Sequence, residues 1–112
     1  MVWKIPLLAV AMICAGGATG ASFDCAAPQL RADEKAICAS RVLNDADVRM
    51  VTSYDILLHF LAMGSAGNLR DSQRSWLMAR QGCGADKACL LKSYAGRQAE
   101  IDAMLARLPA PL

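Results

Sequence analysis

The chain of 112 residues is poor in the side chains that most active sites require. It has one histidine, His59, and two each of tryptophan, tyrosine and phenylalanine. A single histidine excludes a metal site built on a histidine pair. His59 lies in the apolar stretch of residues 57–61, and we expect it at a helix surface or partly buried. The sequence also lacks a Gly-x-Ser-x-Gly elbow and a glycine-rich phosphate-binding loop. We therefore expect no enzyme activity, no catalytic residue, no bound metal and no cofactor.

Charge of either sign is spread along the chain and is not concentrated anywhere. Lysine and arginine number 12, and aspartate and glutamate number 10, which gives a formal net charge of +2. Proteins that bind nucleic acid or anionic membrane surfaces usually carry clustered basic residues, and this sequence has no such block. We expect no nucleic-acid partner and no electrostatic attachment to a membrane.

The first 21 residues have the three-part plan of a secretory signal peptide. Lys4 provides a short basic region, an apolar run covers residues 5–17, and small residues follow. The apolar run is shorter than the roughly 20 residues that a spanning helix needs, so stable membrane insertion is not expected after cleavage. Cleavage after Gly20 or Ala21 is expected, and it places the mature protein in the periplasm or outside the cell.

Cys14, within the apolar run, raises the alternative of a lipid anchor. Lipoprotein processing requires a small residue directly before the modified cysteine, and here that residue is Ile13. Cys14 is therefore interpreted as a small apolar member of the signal core.

Four cysteines remain after the signal segment: Cys25, Cys38, Cys83 and Cys89. An even number of cysteines in a small exported chain is typical of a disulfide framework. Three pairings are possible, and the short separations favour Cys25 with Cys38 and Cys83 with Cys89. Reduced thiols or a metal site are the alternatives, but zinc sites of four cysteines usually contain closer pairs than these.

Residues 22–112 are predicted to form one all-α domain. Apolar residues recur at steps of three and four, and no stretch alternates apolar and polar residues long enough to indicate a strand. The pattern predicts a short helix over residues 32–39, a long helix over about 43–61 and a third over about 68–81. A tight connection is expected at residues 64–67, because two glycines lie there.

A last helix is predicted to begin after Asp86, whose side chain can cap its N-terminus, and to end before Pro109. Short connections make consecutive helices antiparallel. The expected fold is a small disulfide-stapled antiparallel helical bundle of three to four helices.

Large polar and aromatic side chains are densest on one face of the third predicted helix. They can be interpreted as core residues that bond to neighbouring helices, or as contacts for a partner, because Trp, Tyr and Arg are common at binding hot spots. The candidate partner-binding or core residues, including those on the facing helices, are Tyr54, Arg70, Gln73, Arg74, Trp76, Arg80, Tyr94 and Arg97.

The four cysteines stand in a fixed order with many of these residues, and also with Glu34, Asp47 and Leu90. This arrangement resembles the LprI-type lysozyme-inhibitor domain over residues 23–101. The resemblance implies a small exported bacterial module that binds a protein partner, with inhibition of a lysozyme as the family's named activity. It implies no catalytic residue set.

The alternative function is a structural, assembly or interaction role in the bacterial envelope with no inhibitory activity. An exposed apolar patch around Leu57, Phe60 and Leu61 would favour this alternative.

Overall fold

The computed structural model describes residues 22–109, which form an all-α domain as predicted. Its four helices are α1 (Ala32–Ala39), α2 (Arg41–Phe60), α3 (Met63–Gly82) and α4 (Lys87–Ala106). The range of the first helix is confirmed. The predicted signal peptide with its cleavage site and Cys14 lies outside the described residues, as do the last three residues of the chain.

Three helix starts are marked by side chains that accept a backbone hydrogen bond. The Asp86 carboxylate accepts from the Cys89 amide at 3.2 Å, which confirms the predicted N-cap of α4. The Ser40 hydroxyl accepts from the Leu43 amide at 3.3 Å at the start of α2. Glu34 Oε1 accepts from the Arg31 amide at 3.0 Å. Each contact satisfies an amide that the first helical turn leaves without a partner.

The predicted connection at residues 64–67 is wrong. Helix α2 ends at Phe60, only two residues separate it from α3, and both glycines lie in the first turns of α3. Glycine costs up to about 1 kcal/mol relative to alanine in a helix interior, so local propensity favours a break here. The structure overrides that preference because the earlier start of α3 brings Ala66 into the core beside Leu69.

Contacts between the helices fix their relative directions. Arg80 on α3 meets Tyr94 on α4, and Gln73, two turns earlier, meets Arg97, so α3 and α4 are antiparallel. Gln73 also meets Met50 on α2, while Arg80 lies near Asp47, so α3 is antiparallel to α2 as well. Helices α2 and α4 therefore run in the same direction.

The hydrophobic core lies between these helices and receives residues from all four. Helices α2 and α4 form the most extensive pairing. The buried core residues are Ile37, Leu43, Met50, Leu57, Leu69, Leu90, Tyr94 and Ile101. None of the helices in residues 22–109 is long and apolar enough to cross a membrane.

The cysteines are paired in the structure as their short separations predict. Cys25 is bonded to Cys38 and ties the irregular lead-in, residues 22–31, to the end of α1. Cys83 is bonded to Cys89 and closes the corner between α3 and α4. Gly84 lies inside that corner with a φ of 56°, a conformation that side chains with a Cβ rarely adopt. By loop-closure entropy the two bridges contribute about 3 and about 2 kcal/mol.

Candidate functional site

Arg80, near the end of α3, contacts side chains of the other three helices. Its guanidinium is buried, with 1% of the residue exposed. Nε donates to Asp33 Oδ2 at 3.0 Å, and Nη1 donates to the Tyr94 hydroxyl at 3.2 Å. Nη1 also lies 3.7 Å from Asp47 Oδ1. Arg80 thus joins α1, α2 and α4 to α3.

Asp47 is the second centre of this cluster and is fully buried. Its Oδ1 accepts from the Tyr94 hydroxyl at 2.8 Å and from the Ser22 hydroxyl at 2.6 Å. Its Oδ2 accepts from the Ser22 main-chain nitrogen at 3.1 Å. Burial of a carboxylate is unfavourable unless it is paired and hydrogen-bonded, so Asp47 needs these donors. Its contacts with Ser22 therefore hold the start of the lead-in against α2. We call Ser22, Asp33, Asp47, Arg80 and Tyr94 the ionic cluster.

Aromatic rings cover the guanidinium of the ionic cluster. The Cζ of Arg80 lies 5.5 Å from the centre of the Phe23 ring and 5.8 Å from that of Trp76. Trp76 is half-buried, meets Tyr94 edge-on at 5.1 Å and donates from its indole nitrogen to the Ser93 carbonyl at 3.1 Å. A planar guanidinium stacks well on aromatic faces, so these rings shield its charge from water at little cost.

The environment of Tyr94 changes its acidity. Burial raises the pKa of the Tyr94 phenol well above its usual value, and the neighbouring Asp47 carboxylate raises it further. Arg80 opposes this change in pKa without cancelling it. At neutral pH Tyr94 is therefore a neutral phenol that donates a hydrogen bond to Asp47.

A second polar group surrounds Arg97 of α4. It includes Gln73, which lies two turns before Arg80 on α3. Arg97 Nε donates to Gln73 Oε1 at 2.9 Å, and Nη2 donates to the Ser72 hydroxyl at 3.0 Å. The amide nitrogen of Gln73 lies 3.3 Å from the sulfur of Met50. Glu100 pairs with Arg97 Nη1 at 2.9 Å from the exposed side. This group joins α2, α3 and α4 in the same way as the ionic cluster.

The eight candidate residues separate into three classes of burial. Tyr94 and three of the polar candidates are buried and bonded to other helices, as the core interpretation predicts. Tyr54 and Trp76 are half-buried, and Arg70 and Arg74 are exposed on α3. The buried polar candidates are Gln73, Arg80 and Arg97. Only the exposed and half-buried candidates have surface to offer a partner.

Two buried acids of this region did not emerge as site residues from the sequence. The position of Asp33 in the first turn of α1 is sufficiently explained by the helix dipole, which favours an acidic residue there. Asp47 is part of the resemblance only. A signal was present for Asp47, because it lies four residues after Leu43 and three before Met50, on the buried side of α2. A carboxylate in that register indicates a buried cationic partner.

Exposed residues of α3 form a row along the helix. Met63, Arg70, Arg74 and Met78 follow one another at steps of seven, four and four, which places them near one line on its surface. Arg74 pairs with the exposed Asp71 at 3.1 Å. The row spans about 22 Å at 1.5 Å per residue. We call these four residues the α3 outer row.

The apolar residues that are exposed at the end of α2 differ from those predicted. Leu57 is a fully buried core residue, and Leu61 is half-buried. The exposed apolar residues at this corner are Ile56, Phe60 and Met63, with 66% of Phe60 and 92% of Met63 accessible. The ring of His59 meets that of Phe60 edge-on at 5.3 Å on the surface.

A mainly apolar groove of about 500 Å³ lies between the start of α3 and the end of α4. Leu61, Leu69, Met104 and Leu108 form its apolar lining. Within residues 22–109 there is no group of three or more histidine, cysteine or acidic side chains that could hold a metal ion.

The comparison with known families gives one decisive match. The model of the family described as "Lysozyme inhibitor LprI" matches residues 25–109. The chain belongs to the LprI lysozyme-inhibitor family. Neither the curated proteins nor the solved structures give a significant match. The matched residues include all four helices, both disulfide bonds and four of the five residues of the ionic cluster.

Proposed function

We propose that this LprI-family protein is an exported, non-catalytic protein-binding module that inhibits a lysozyme. The observation that carries the proposal is the family match, which covers the whole helical domain. Two disulfide bonds also support export, because they persist in oxidising compartments. Residues 1–21 are proposed to be the removable signal peptide, and the periplasm or the exterior the destination.

The scaffold suits a rigid inhibitor. Its lead-in and its α3–α4 corner are each closed by a disulfide, and the ionic cluster joins all four helices. A surface that is already ordered loses little conformational entropy on binding, so more of the contact energy appears as affinity. The structure therefore provides a fixed surface and does not need to fold around its partner.

The α3 outer row is the surface that we propose for lysozyme. Glycoside hydrolases of this type act through a pair of carboxylates in a cleft, so an inhibitor benefits from exposed cations. Arg70 and Arg74 are such cations, one helical turn apart. Met63 and Met78 provide adaptable apolar contacts at the two ends of the row. Among the candidate residues, Arg70 and Arg74 are the two that are exposed.

A lysis assay tests inhibition directly. Purified mature protein is mixed with lysozymes of several structural types, and the fall in turbidity of a cell-wall suspension is followed. The proposal predicts that at least one lysozyme is slowed in a saturable manner, with no effect from protein whose disulfides have been reduced and alkylated. No slowing of any of them at a hundredfold molar excess would contradict it.

A second candidate function is a structural or assembly role in the envelope, and the apolar end of the molecule favours it. Phe60 and Met63 are exposed beside the groove that Leu61 helps to line. Exposed apolar area of this kind commonly marks an interaction site. Sedimentation over a range of concentrations tests whether this end associates with a second copy, and Phe60→Ser should abolish the association. A monomer at all concentrations would remove self-association from consideration.

A further inference from the structure

The start of the lead-in is bonded to the ionic cluster through the main chain as well as through a side chain. The Ser22 nitrogen lies 3.1 Å from Asp47 Oδ2, and its hydroxyl lies 2.6 Å from Oδ1. Ser22 is exposed, whereas Asp47 is fully buried. The nitrogen of Ser22 is thus positioned at the edge of the cluster, between a buried carboxylate and solvent.

Positive charge in the ionic cluster is unevenly shared between its two carboxylates. Asp33 has Arg80 Nε at 3.0 Å and Arg31 Nε at 3.4 Å. Among the described residues, the cation nearest to Asp47 is the same Arg80, at 3.7 Å, which is longer than a hydrogen bond. The other donors to Asp47, the hydroxyls of Tyr94 and Ser22, are neutral. Arg31 is half-exposed, so Arg80 is the one buried cation beside the two buried carboxylates of the ionic cluster. A further positive group at Asp47 would compensate the second carboxylate.

We infer that the chain is cut between Ala21 and Ser22, and that the new α-ammonium group of Ser22 is the missing cation, paired with Asp47. Hydrolysis of this amide by a signal peptidase consumes one water, leaves a carboxylate on Ala21 and frees the amine of Ser22. The free amine is mostly protonated at neutral pH, since its usual pKa is near 8. The inference rests on the proposed export and is independent of lysozyme inhibition.

The sequence before the bond is compatible with this choice. Ala21 and Thr19 are the first and third residues before it, and both side chains are small, as such peptidases require. Cleavage after Gly20 would leave the ammonium on Ala21, and the Ser22 nitrogen that contacts Asp47 would remain a neutral amide. The geometry at Asp47 thus selects one of two cleavage sites that the sequence alone does not distinguish.

The first test is the intact mass of the protein recovered from the periplasm after expression of the full chain. We expect the mass of a chain that begins at Ser22, with two disulfide bonds. A chain that begins at Ala21 or at another residue would overturn the inference and leave export intact. An uncut chain retained in the cytoplasm would overturn both export and the inference.

The second test measures whether the ammonium group acts through Asp47. Mature chains that begin at Ser22 and at Ala21 are compared by thermal unfolding, each with Asp47 and with Asp47→Asn. With Asp47 present, the chain that begins at Ser22 should unfold about 5 °C higher than the chain that begins at Ala21. A shift of this size is expected when a domain of this length gains one modest ion pair. In the Asp47→Asn pair the difference should fall below about 1 °C. Equal unfolding temperatures of the two Asp47 chains, or the same difference in both pairs, would contradict the ion pair.

Discussion

Helix α3 carries arginines with two different roles on its two sides. Arg80 is buried, bonded to Asp33 and Tyr94, and covered by aromatic rings. Arg70 and Arg74, only ten and six residues earlier, are exposed. The same side chain stabilises the fold on one side of the helix and is available to a partner on the other. Residue type alone therefore does not identify a binding site on this helix; burial and bonded partners are needed as well.

The sharpest way to break this comparison is to remove the buried arginine. Arg80→Met keeps much of the volume but leaves Asp33 and Asp47 as buried carboxylates without their shared cation. We expect the free energy of unfolding to fall by about 3–5 kcal/mol, measured by urea denaturation at neutral pH. The matched control, Arg74→Met on the exposed side, should change it by less than about 0.5 kcal/mol. Similar losses in both variants would contradict the division of α3 into two sides.

Tyr94 gives a test that depends on pH. Its pKa is raised in the folded state, so the neutral phenol stabilises the fold below the pKa of the unfolded chain, near 10. As the pH rises above 10, the unfolded state loses this proton first and stability falls by up to about 1.4 kcal/mol per pH unit.

Tyr94→Phe should remove this contribution to the alkaline slope, at a cost of about 1–2 kcal/mol at neutral pH from the lost hydrogen bonds. Urea denaturation between pH 8 and pH 11 measures both effects. Tyr54→Phe, which alters a half-buried tyrosine outside the ionic cluster, is the control and should keep the wild-type slope. A slope in Tyr94→Phe equal to that of the wild type would show that Tyr94 does not cause it.

Two glycine substitutions are expected to have the smallest effects on the free energy of unfolding. Gly67 is helical in α3, and a Cβ built on it would meet no atom within 4 Å. Gly67→Ala should therefore raise the free energy of unfolding by about 0.5–1 kcal/mol. Gly84→Ala, in the corner that requires a positive φ, should lower it by about 1–2 kcal/mol. Thermal unfolding of the two variants should give shifts of opposite sign, and shifts of the same sign would contradict the account of these two positions.

Local signals in the sequence were sufficient for much of the fold. The first helix, the Asp86 cap and the two short-range disulfides each depend on residues close together in the chain, and the structure agrees with all three. The predicted start of α3 is wrong because the glycine signal is local, whereas the observed helix buries Ala66 in its first turns.

The ionic cluster shows why the site was harder to predict than the fold. Arg80 and Asp33 are 47 residues apart in sequence, and Tyr94 and Asp47 are separated by the same distance. Helical periodicity indicates which side of a helix is buried, but not which residue of another helix lies opposite. The exposure of Arg70 and Arg74 likewise became apparent only when the burial of α3 was known.

We expect the buried side of α3 to stabilise the fold and the α3 outer row to bind the partner. The most direct measurement is the inhibition constant of Arg70→Glu/Arg74→Glu in the lysis assay, alongside its thermal unfolding. Arg49→Glu, which reverses an exposed arginine of α2, is the control. The account predicts at least a tenfold weaker inhibition for the double variant, no more than a twofold change for the control, and wild-type unfolding temperatures for both within about 3 °C. Undiminished inhibition by a folded Arg70→Glu/Arg74→Glu protein would contradict it.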